Sequence, residues 1–267
     1  DVPVLAVESL EGDLRAVVFS YACHPTSRGG LLIGGDYVGF AYAHVEETHP
    51  GVTACFLQGC GGDQKPVPVD PEAESFVPSE VEEVRDIGAE LGTVVSEVLG
   101  SDAMQPVEGP LTITQRTIDL ETDPVDMALL EEKRDSDQAY EREWATDLLD
   151  KVAKGTPIPT RVPYEVQGIR FGNSLCGVTL SGEMTAEHGL RLKRELGPHF
   201  GTVMVIGYAN HIVGYVPVKR QIPEGGYEVW RNNLLLKRTG AFVEETEDRI
   251  HSAVHEALGV GSKGREA

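Results

Sequence analysis

Leu14-Arg15-Ala16-Val17-Val18-Phe19-Ser20-Tyr21-Ala22-Cys23-His24-Pro25-Thr26 is an apolar run that empties into a loop carrying a histidine. A glycine-rich connection then leads through Gly35-Asp36-Tyr37 into an amphipathic segment. A second apolar run, Val52 to Leu57, delivers the chain into Gly59-Cys60-Gly61-Gly62-Asp63-Gln64-Lys65-Pro66. The order reads as strand, loop, helix, strand, loop. A right-handed crossover sets the two strands parallel and their loops side by side. Ligand sites of open α/β sheets lie at that carboxyl edge. One loop brings His24, and the other brings free backbone N–H groups, Asp63 and Lys65. The expected fold is α/β, with a largely parallel or mixed central sheet and helices on both faces.

Outward from this unit, Val2 to Val7 and Leu14 to Tyr21 flank Glu11-Gly12-Asp13 as the arms of a hairpin. Asp36 is placed to start a helix running to about Thr48, with Tyr37, Phe40, Ala41 and Val45 on one face. Prolines at 66, 68 and 71 mark an extended, irregular loop. Ser79-Glu80-Val81-Glu82 has the form of a capping box, opening a helix that stops near Gly100. Leu111 to Leu120 alternates as a half-buried strand does. The charged segment from Pro124 to Lys154 reads as a helical insertion packed on the domain. Its apolar positions Leu129, Leu130, Trp144, Leu148, Leu149 and Val152 form a broken stripe. Strands at Val162 to Phe171 and Leu175 to Leu180 join through Gly172-Asn173-Ser174. The expected organisation is one catalytic domain over residues 1–260, with a flexible tail at 261–267.

The chain has 267 residues, enough for a substantial core. Its formal net charge of −20 argues against nucleic-acid binding, which needs a surplus of Lys and Arg. No apolar run has the length of a transmembrane helix. A soluble protein is expected, with the compartment, secreted or cytoplasmic, left open. The four cysteines include no Cys-x-x-Cys pair, which disfavours a cysteine zinc site and favours buried free thiols.

Two further stretches leave apolar strands for loops. Leu180-Ser181-Gly182-Glu183-Met184-Thr185 precedes a helix over about Ala186 to Leu196. A carboxylate there can ligate a metal, move a proton, or simply answer the helix dipole. From Val203 the chain passes Gly207-Tyr208-Ala209-Asn210-His211 to Tyr215, and then Gly225-Gly226-Tyr227-Glu228. A long irregular loop inside a compact domain is more often functional than ornamental. An isolated histidine such as His211 is more often a hydrogen-bonded structural residue than a ligand.

Taken in order, these places resemble the neutral (non-lysosomal) ceramidase family of zinc amidohydrolases. The resembling residues are Tyr21-Ala22-Cys23-His24-Pro25-Thr26 with Gly35-Asp36-Tyr37-Val38-Gly39, and Leu57-Gln58-Gly59-Cys60-Gly61-Gly62-Asp63. They continue with Gly182-Glu183-Met184-Thr185, and with Ala209-Asn210 followed by Tyr215 and Tyr227. The resemblance implies that His24, Glu183 and Tyr215 ligate Zn2+. It places Tyr227 beside the metal as a hydrogen-bond donor. Asp63 and Lys65, on the glycine-rich loop, are further candidate catalytic residues from the reading of that loop. The resemblance also implies a small-molecule or lipid-like amide substrate, with metal-bound water as the nucleophile. Zinc accepts nitrogen and oxygen donors of these kinds and keeps one position open for catalysis. There it polarises a carbonyl and acidifies water, while a nearby hydroxyl stabilises the oxyanion.

Two departures qualify what carries over. The family supplies another zinc-binding histidine from an upstream His-x-His motif, and no His-x-His occurs in this chain. The expectation is that a portion of the catalytic domain precedes Asp1. The family's Gly-Asp-x-Ser-Pro-type motif places a serine at the metal, and the matching position here is Lys65. That serine's role does not transfer, and ceramide itself is not the expected substrate. Lys65 is instead expected to meet an anionic group at the cleft mouth or to pair with Asp63 or a surface carboxylate. A metal-dependent ester or phosphoester hydrolase and a non-catalytic binding relative remain as alternatives.

Overall fold

The computed structural model describes residues 1–66, 69–70, 72 and 75–261. Strand β1 (Val4–Glu8) and strand β2 (Leu14–Tyr21) form the antiparallel hairpin. Helix α1 (Asp36–Thr48) crosses over to β3 (Thr53–Gln58), which pairs with β2 in parallel from Ala16 opposite Thr53 to Tyr21 opposite Gln58. The short strands β4 (Val69–Asp70) and β5 (Ser75–Phe76) follow, then helix α2 (Val81–Leu99). Val17 and Phe19 are fully buried against Tyr37, Ala41 and Val45 of α1 and Val84, Leu91 and Val95 of α2. The period-2 pattern of β2 thus meets the helical stripes, and burial of that apolar surface is the main stabilising term for this layer.

Asp36 is the first residue of α1 rather than its cap, which is Gly35 and makes no side-chain bond to the helix. The Asp36 carboxylate accepts from the N–H of Tyr37 at 2.8 Å and from the N–H and hydroxyl of Ser27 at 2.9 and 2.6 Å. The capping box of α2 lies one residue beyond the Ser79–Glu82 spacing. Glu80 and Glu83 are the reciprocal pair, and Ser79 is buried with its N–H on the Ser27 carbonyl. Val69 and Asp70 pair with Phe76 and Ser75, so the proline-punctuated loop is not wholly irregular. Positions 67, 68 and 71 of that loop, and 262–267 of the tail, lie outside the described residues.

The second half adds β6 (Leu111–Glu121), helices α3 (Met127–Lys133) and α4 (Ala139–Ala153), β7 (Arg161–Phe171), β8 (Leu175–Leu180) and β9 (Glu183–Met184). After these come α5 (Ala186–Leu196), β10 (Thr202–Ile206), β11 (Tyr215–Val216), a π-helical turn at Tyr227–Arg231, α6 (Asn232–Leu235) and α7 (Thr246–Leu258). A four-stranded sheet runs β10-β8-β7-β6, parallel only between β10 and β8. Its core joins Cys176, Val178 and Leu180 to Leu192 and Leu196 of α5 and to Ile250, Val254 and Leu258 of α7. The charged insertion is the hairpin of α3 and α4, which buries Leu130, Trp144 and Leu148 against Leu234 of α6.

The two sheets meet at one point. Gly59 bridges Ile206, and the Gly207 N–H reaches the Gln58 carbonyl at 2.9 Å. The ends of β3 and β10 therefore lie together, and the loops leaving them share one edge. The four cysteines are free, with Cys23, Cys60 and Cys176 buried. Among the described residues no helix is long and apolar enough to cross a membrane.

Candidate active site

Four loop segments are fastened to one another at this edge by their backbones. The His24 N–H donates to the Gln64 carbonyl at 3.0 Å, and the Gly62 N–H to the Met184 carbonyl at 2.8 Å. On the other side of β9, the Glu183 N–H donates to the Gly214 carbonyl at 2.8 Å. Strands β9 and β11 pair in parallel with Tyr215 opposite Glu183, so the ladder itself sets these two side chains beside each other. The fourth segment enters after β10, where the Tyr208 N–H reaches the Gly182 carbonyl at 2.9 Å. Glycine is required where the loops close. A Cβ on Gly61 would stand 2.6 Å from the Cys23 nitrogen, and one on Gly62 would stand 2.7 Å from the Glu183 carbonyl oxygen.

The side chains converge on His24. Its Nε2 lies 3.0 Å from the Gly62 carbonyl, 3.2 Å from the Tyr208 hydroxyl, 3.3 Å from the Tyr215 hydroxyl and 3.8 Å from Glu183 Oε2. The Tyr208 hydroxyl is also 3.1 Å from His24 Nδ1 and donates to Glu183 Oε2 at 3.3 Å. One imidazole nitrogen offers one proton or one lone pair, so it cannot satisfy four surrounding oxygens. The His24 and Glu183 side chains keep 13% and 20% of their surface exposed, so the cluster is shielded yet reachable. Burial first, and the Glu183 carboxylate second, hold the phenols of Tyr208 and Tyr215 above the ordinary tyrosine range. Among the described residues no Lys or Arg pairs with Glu183, and no three His, Cys, Asp or Glu side chains gather in a metal-holding group. The donors present are one imidazole, one carboxylate and two phenols.

The remaining expected residues sit around this cluster. Tyr227, 45% exposed, stacks edge-on against Tyr215 with ring centroids 5.4 Å apart. Asp63 is committed to α5 and its surroundings: Oδ1 accepts from the Ala186 N–H at 2.8 Å and Oδ2 from Gln221 Nε2 at 3.1 Å. That places a carboxylate at a helix N-terminus, where backbone donors and the macrodipole favour it. Lys65 is exposed, its ammonium 5.0 Å from the Phe76 ring centroid. His211 is exposed and outside the cluster. Tyr208 is the member that the sequence expectations miss. Its signal is positional, because it stands just past the carboxyl end of an apolar strand, as His24 and Glu183 do.

No family model matches the chain, and no curated protein matches it. Among solved structures the fold is similar to neutral ceramidase from Pseudomonas aeruginosa, with a TM-score of 0.67 and 19% identity over 98% of this chain and 47% of that one. It is also similar to a ceramidase complexed with C2, with a TM-score of 0.68 and 19% identity over all of this chain and 49% of that one. The chain thus has a ceramidase-like fold and spans about half the length of those two chains.

Proposed function

We propose that the chain is the metal-holding part of a zinc-dependent hydrolase of ceramidase-like type, acting on an amide bond. The observation that carries this reading is the convergence of His24, Glu183 and Tyr215, fastened by the β9–β11 register and the locked loops at His24 and Gly62. The donors fit the ion. Imidazole nitrogen and carboxylate and phenol oxygens suit zinc, and oxygens gathered round one imidazole, with no Lys or Arg among the described residues to balance Glu183, favour an added cation. When bound there, zinc supplies Lewis acidity that polarises an amide carbonyl and acidifies water.

The chain's own residues do the rest. His24, Glu183 and Tyr215 would hold the ion, with the lone pair of His24 Nε2 turned to it in place of a proton on the Gly62 carbonyl. Tyr227, edge-on to Tyr215 and open to solvent, donates its hydroxyl to the carbonyl oxygen as charge develops there. Asp63 holds the N-terminus of α5, and with it the β9 turn, in place. Lys65 stands at the rim, able to meet an anionic substrate group, and takes no part in bond cleavage.

The test is elemental analysis of the protein purified without added chelator, followed by a panel of N-acyl amides and matched esters. About one zinc per chain and faster amide than ester cleavage are expected. Protein that stays free of zinc when equilibrated with it, or that cleaves only esters, overturns the reading.

A further inference from the structure

Beside Tyr227, the residue that would meet the substrate carbonyl, stands one arginine. Arg231 closes the π-helical turn that Tyr227 opens. Its guanidinium carbon lies 5.5 Å from the Tyr227 ring centroid and 4.9 Å from that of Tyr140 on α4. We propose that Arg231 is a specificity-determining residue that binds a carboxylate borne close to the scissile amide, as in an N-acyl amino acid. This inference rests on the zinc-hydrolase reading above and names its substrate class.

The fold builds the position. The Asn232 N–H closes the turn on the Tyr227 carbonyl, a bond of the i→i+5 kind. Residues four apart, Tyr227 and Arg231, then stand on one face. The turn is anchored from below, because Val229, Asn232 and Asn233 are buried and Asn233 Nδ2 donates to the Val229 carbonyl at 2.6 Å. Tyr227 lies edge-on to Tyr215, whose hydroxyl is 3.3 Å from His24 Nε2. A line of contacts therefore runs from imidazole through two phenols to guanidinium.

Charge makes this arginine stand out. The chain has 43 acidic residues against 23 Lys and Arg, and arginines such as Arg191 and Arg220 each pair with carboxylates. Arg231 is exposed and, among the described residues, pairs with no carboxylate and makes no side-chain hydrogen bond, although Glu228 is on the same turn. The two rings hold its guanidinium by attraction to their faces, which consumes none of its five N–H donors. A planar fork held this way is pre-organised for a carboxylate taken on two parallel bonds. Lys65, with one ring beside it, offers a point charge on a flexible stem instead. Glu228 repels a second anion, so without Arg231 a substrate carboxylate would be disfavoured here.

The chemistry suits the placement. In an N-acyl amino acid the carboxylate is one carbon removed from the amide nitrogen, so neighbours on one turn can read the carbonyl and the carboxylate together. Hydrolysis breaks the carbon–nitrogen bond, adds the water hydroxyl to the acyl carbon and its proton to the departing amine, and releases a carboxylic acid and an amino acid.

The experiment compares wild type, Arg231→Met, Arg231→Lys and Lys65→Met as intact chains, with circular dichroism to check folding. The probes are N-octanoylglycine and N-octanoylglycinamide, which differ only in carboxylate against carboxamide. Steady-state assays with zinc give kcat and KM, and equilibrium dialysis after treatment with chelator gives the affinity for each probe. Wild type is expected to favour the acylglycine. Arg231→Met should weaken it by about 10- to 100-fold in KM and in dialysis, while KM for the glycinamide and both kcat values move less than about 3-fold. Arg231→Lys should recover part of the loss, since it keeps the charge without the fork. An equal fall on both probes would mean that Arg231 acts through Tyr227, and overturns the proposal. Unchanged discrimination in Arg231→Met, or its loss in Lys65→Met instead, overturns it too. If wild type binds no zinc and cleaves neither probe, the proposed function falls, and the dialysis ratio still decides Arg231.

Discussion

Two polar clusters of similar composition lie in this molecule, one at the edge of the sheets and one between α5 and α7. The second links His188, His251, His255 and Glu195. The two imidazoles of His188 and His251 meet at 3.3 Å, and Glu195 accepts from His251 at 3.2 Å and from His255 at 3.0 Å. Arg191 bonds Glu195, Glu247 and Asp248 in the same surface cleft. Every carboxylate there has a cation beside it; burial pushes the Glu195 carboxyl up, and its hydrogen bonds from His251, His255 and Arg191 outweigh that and hold it well below its ordinary range. At the sheet edge the balance is reversed. Glu183 has a histidine at 3.8 Å and phenols that only donate hydrogen bonds. The difference is one of charge rather than of residue type: Glu183 has hydrogen-bond donors but no Lys or Arg beside it among the described residues, and the proposed zinc would supply the cation that Arg191 supplies between α5 and α7.

The largest expected effect tests that contrast directly. Glu183→Gln keeps the shape and removes the charge, and should lower zinc affinity and turnover by about 100-fold or more, with little change in unfolding midpoint. Glu195→Gln should do the opposite, losing about 1–3 kcal/mol of stability while turnover stays within a few-fold. Chelator competition, steady-state assays and urea denaturation of both variants decide it. Equal losses of turnover in the two would erase the distinction between the clusters.

The second prediction concerns the closeness of the loops. Gly62→Ala sets a methyl group 2.7 Å from the Glu183 carbonyl oxygen, against backbone that cannot swing away. Either the β9 segment shifts or the Gly62 N–H loses the Met184 carbonyl. A cost of about 1–3 kcal/mol is expected, together with weaker zinc binding. Full stability with unchanged zinc affinity would mean that the loops are not locked as described.

How much of this was legible in the sequence follows from the lengths of the elements. The parallel pair β2–β3, the strand Leu175–Leu180 and the helix Ala186–Leu196 carry several residues of clean periodicity, and the structure has them where that pattern puts them. The pairing of Glu183 with Tyr215 involves strands of two residues each, which have no periodicity to read. Only the order of motifs hinted that these residues belong together. Tyr208 had less still, since its place against His24 rests on a left-handed backbone turn that a tyrosine does not advertise. Helix α7 belongs to no expectation drawn from the sequence, although Ile250, Val254 and Leu258 recur every fourth residue behind the acidic start Glu247-Asp248. The shifted capping box has a tertiary cause, because the loop at Ser27 consumes Ser79 before it can cap.

A third prediction sharpens the second cluster. His188 is fully buried, and burial first, then the neighbouring His251, hold its imidazole below the ordinary histidine range; Glu247 acts in the opposite sense. With a depressed folded pKa, the unfolded chain takes up a proton near pH 6.5 that the folded chain refuses. Stability from this group is therefore complete above about pH 6.5 and is lost as pH falls, at up to about 1.4 kcal/mol per pH unit. His188→Leu should flatten the acid limb between about pH 6.5 and 5 in urea titrations. An unchanged slope would show that His188 is protonated in the fold or that another group governs the limb.

The smallest effect separates capping from chemistry at Asp63. Its two carboxylate oxygens each accept one hydrogen bond, from the Ala186 N–H and from Gln221, and among the described residues no hydrogen bond joins it to His24. Asp63→Asn retains an oxygen for the Ala186 N–H but sets an amide NH2 against the Gln221 Nε2 donor, whose Oε1 already accepts from the Val218 N–H at 3.0 Å. It should keep turnover within a few-fold and lose about 0.5 kcal/mol of stability with the Gln221 contact, since Asn caps nearly as well as Asp. Asp63→Ala loses both contacts and should cost about 1 kcal/mol, with α5 fraying at its first turn. Amide hydrogen exchange at Ala186 and Glu187 reads that fraying, and turnover measured on the same samples reads the chemistry. A collapse of turnover in Asp63→Asn with exchange at Ala186 unchanged would return Asp63 to the reaction as a proton-transfer group. It would also show that a helix cap at the edge of this uncompensated cluster shares in its chemistry.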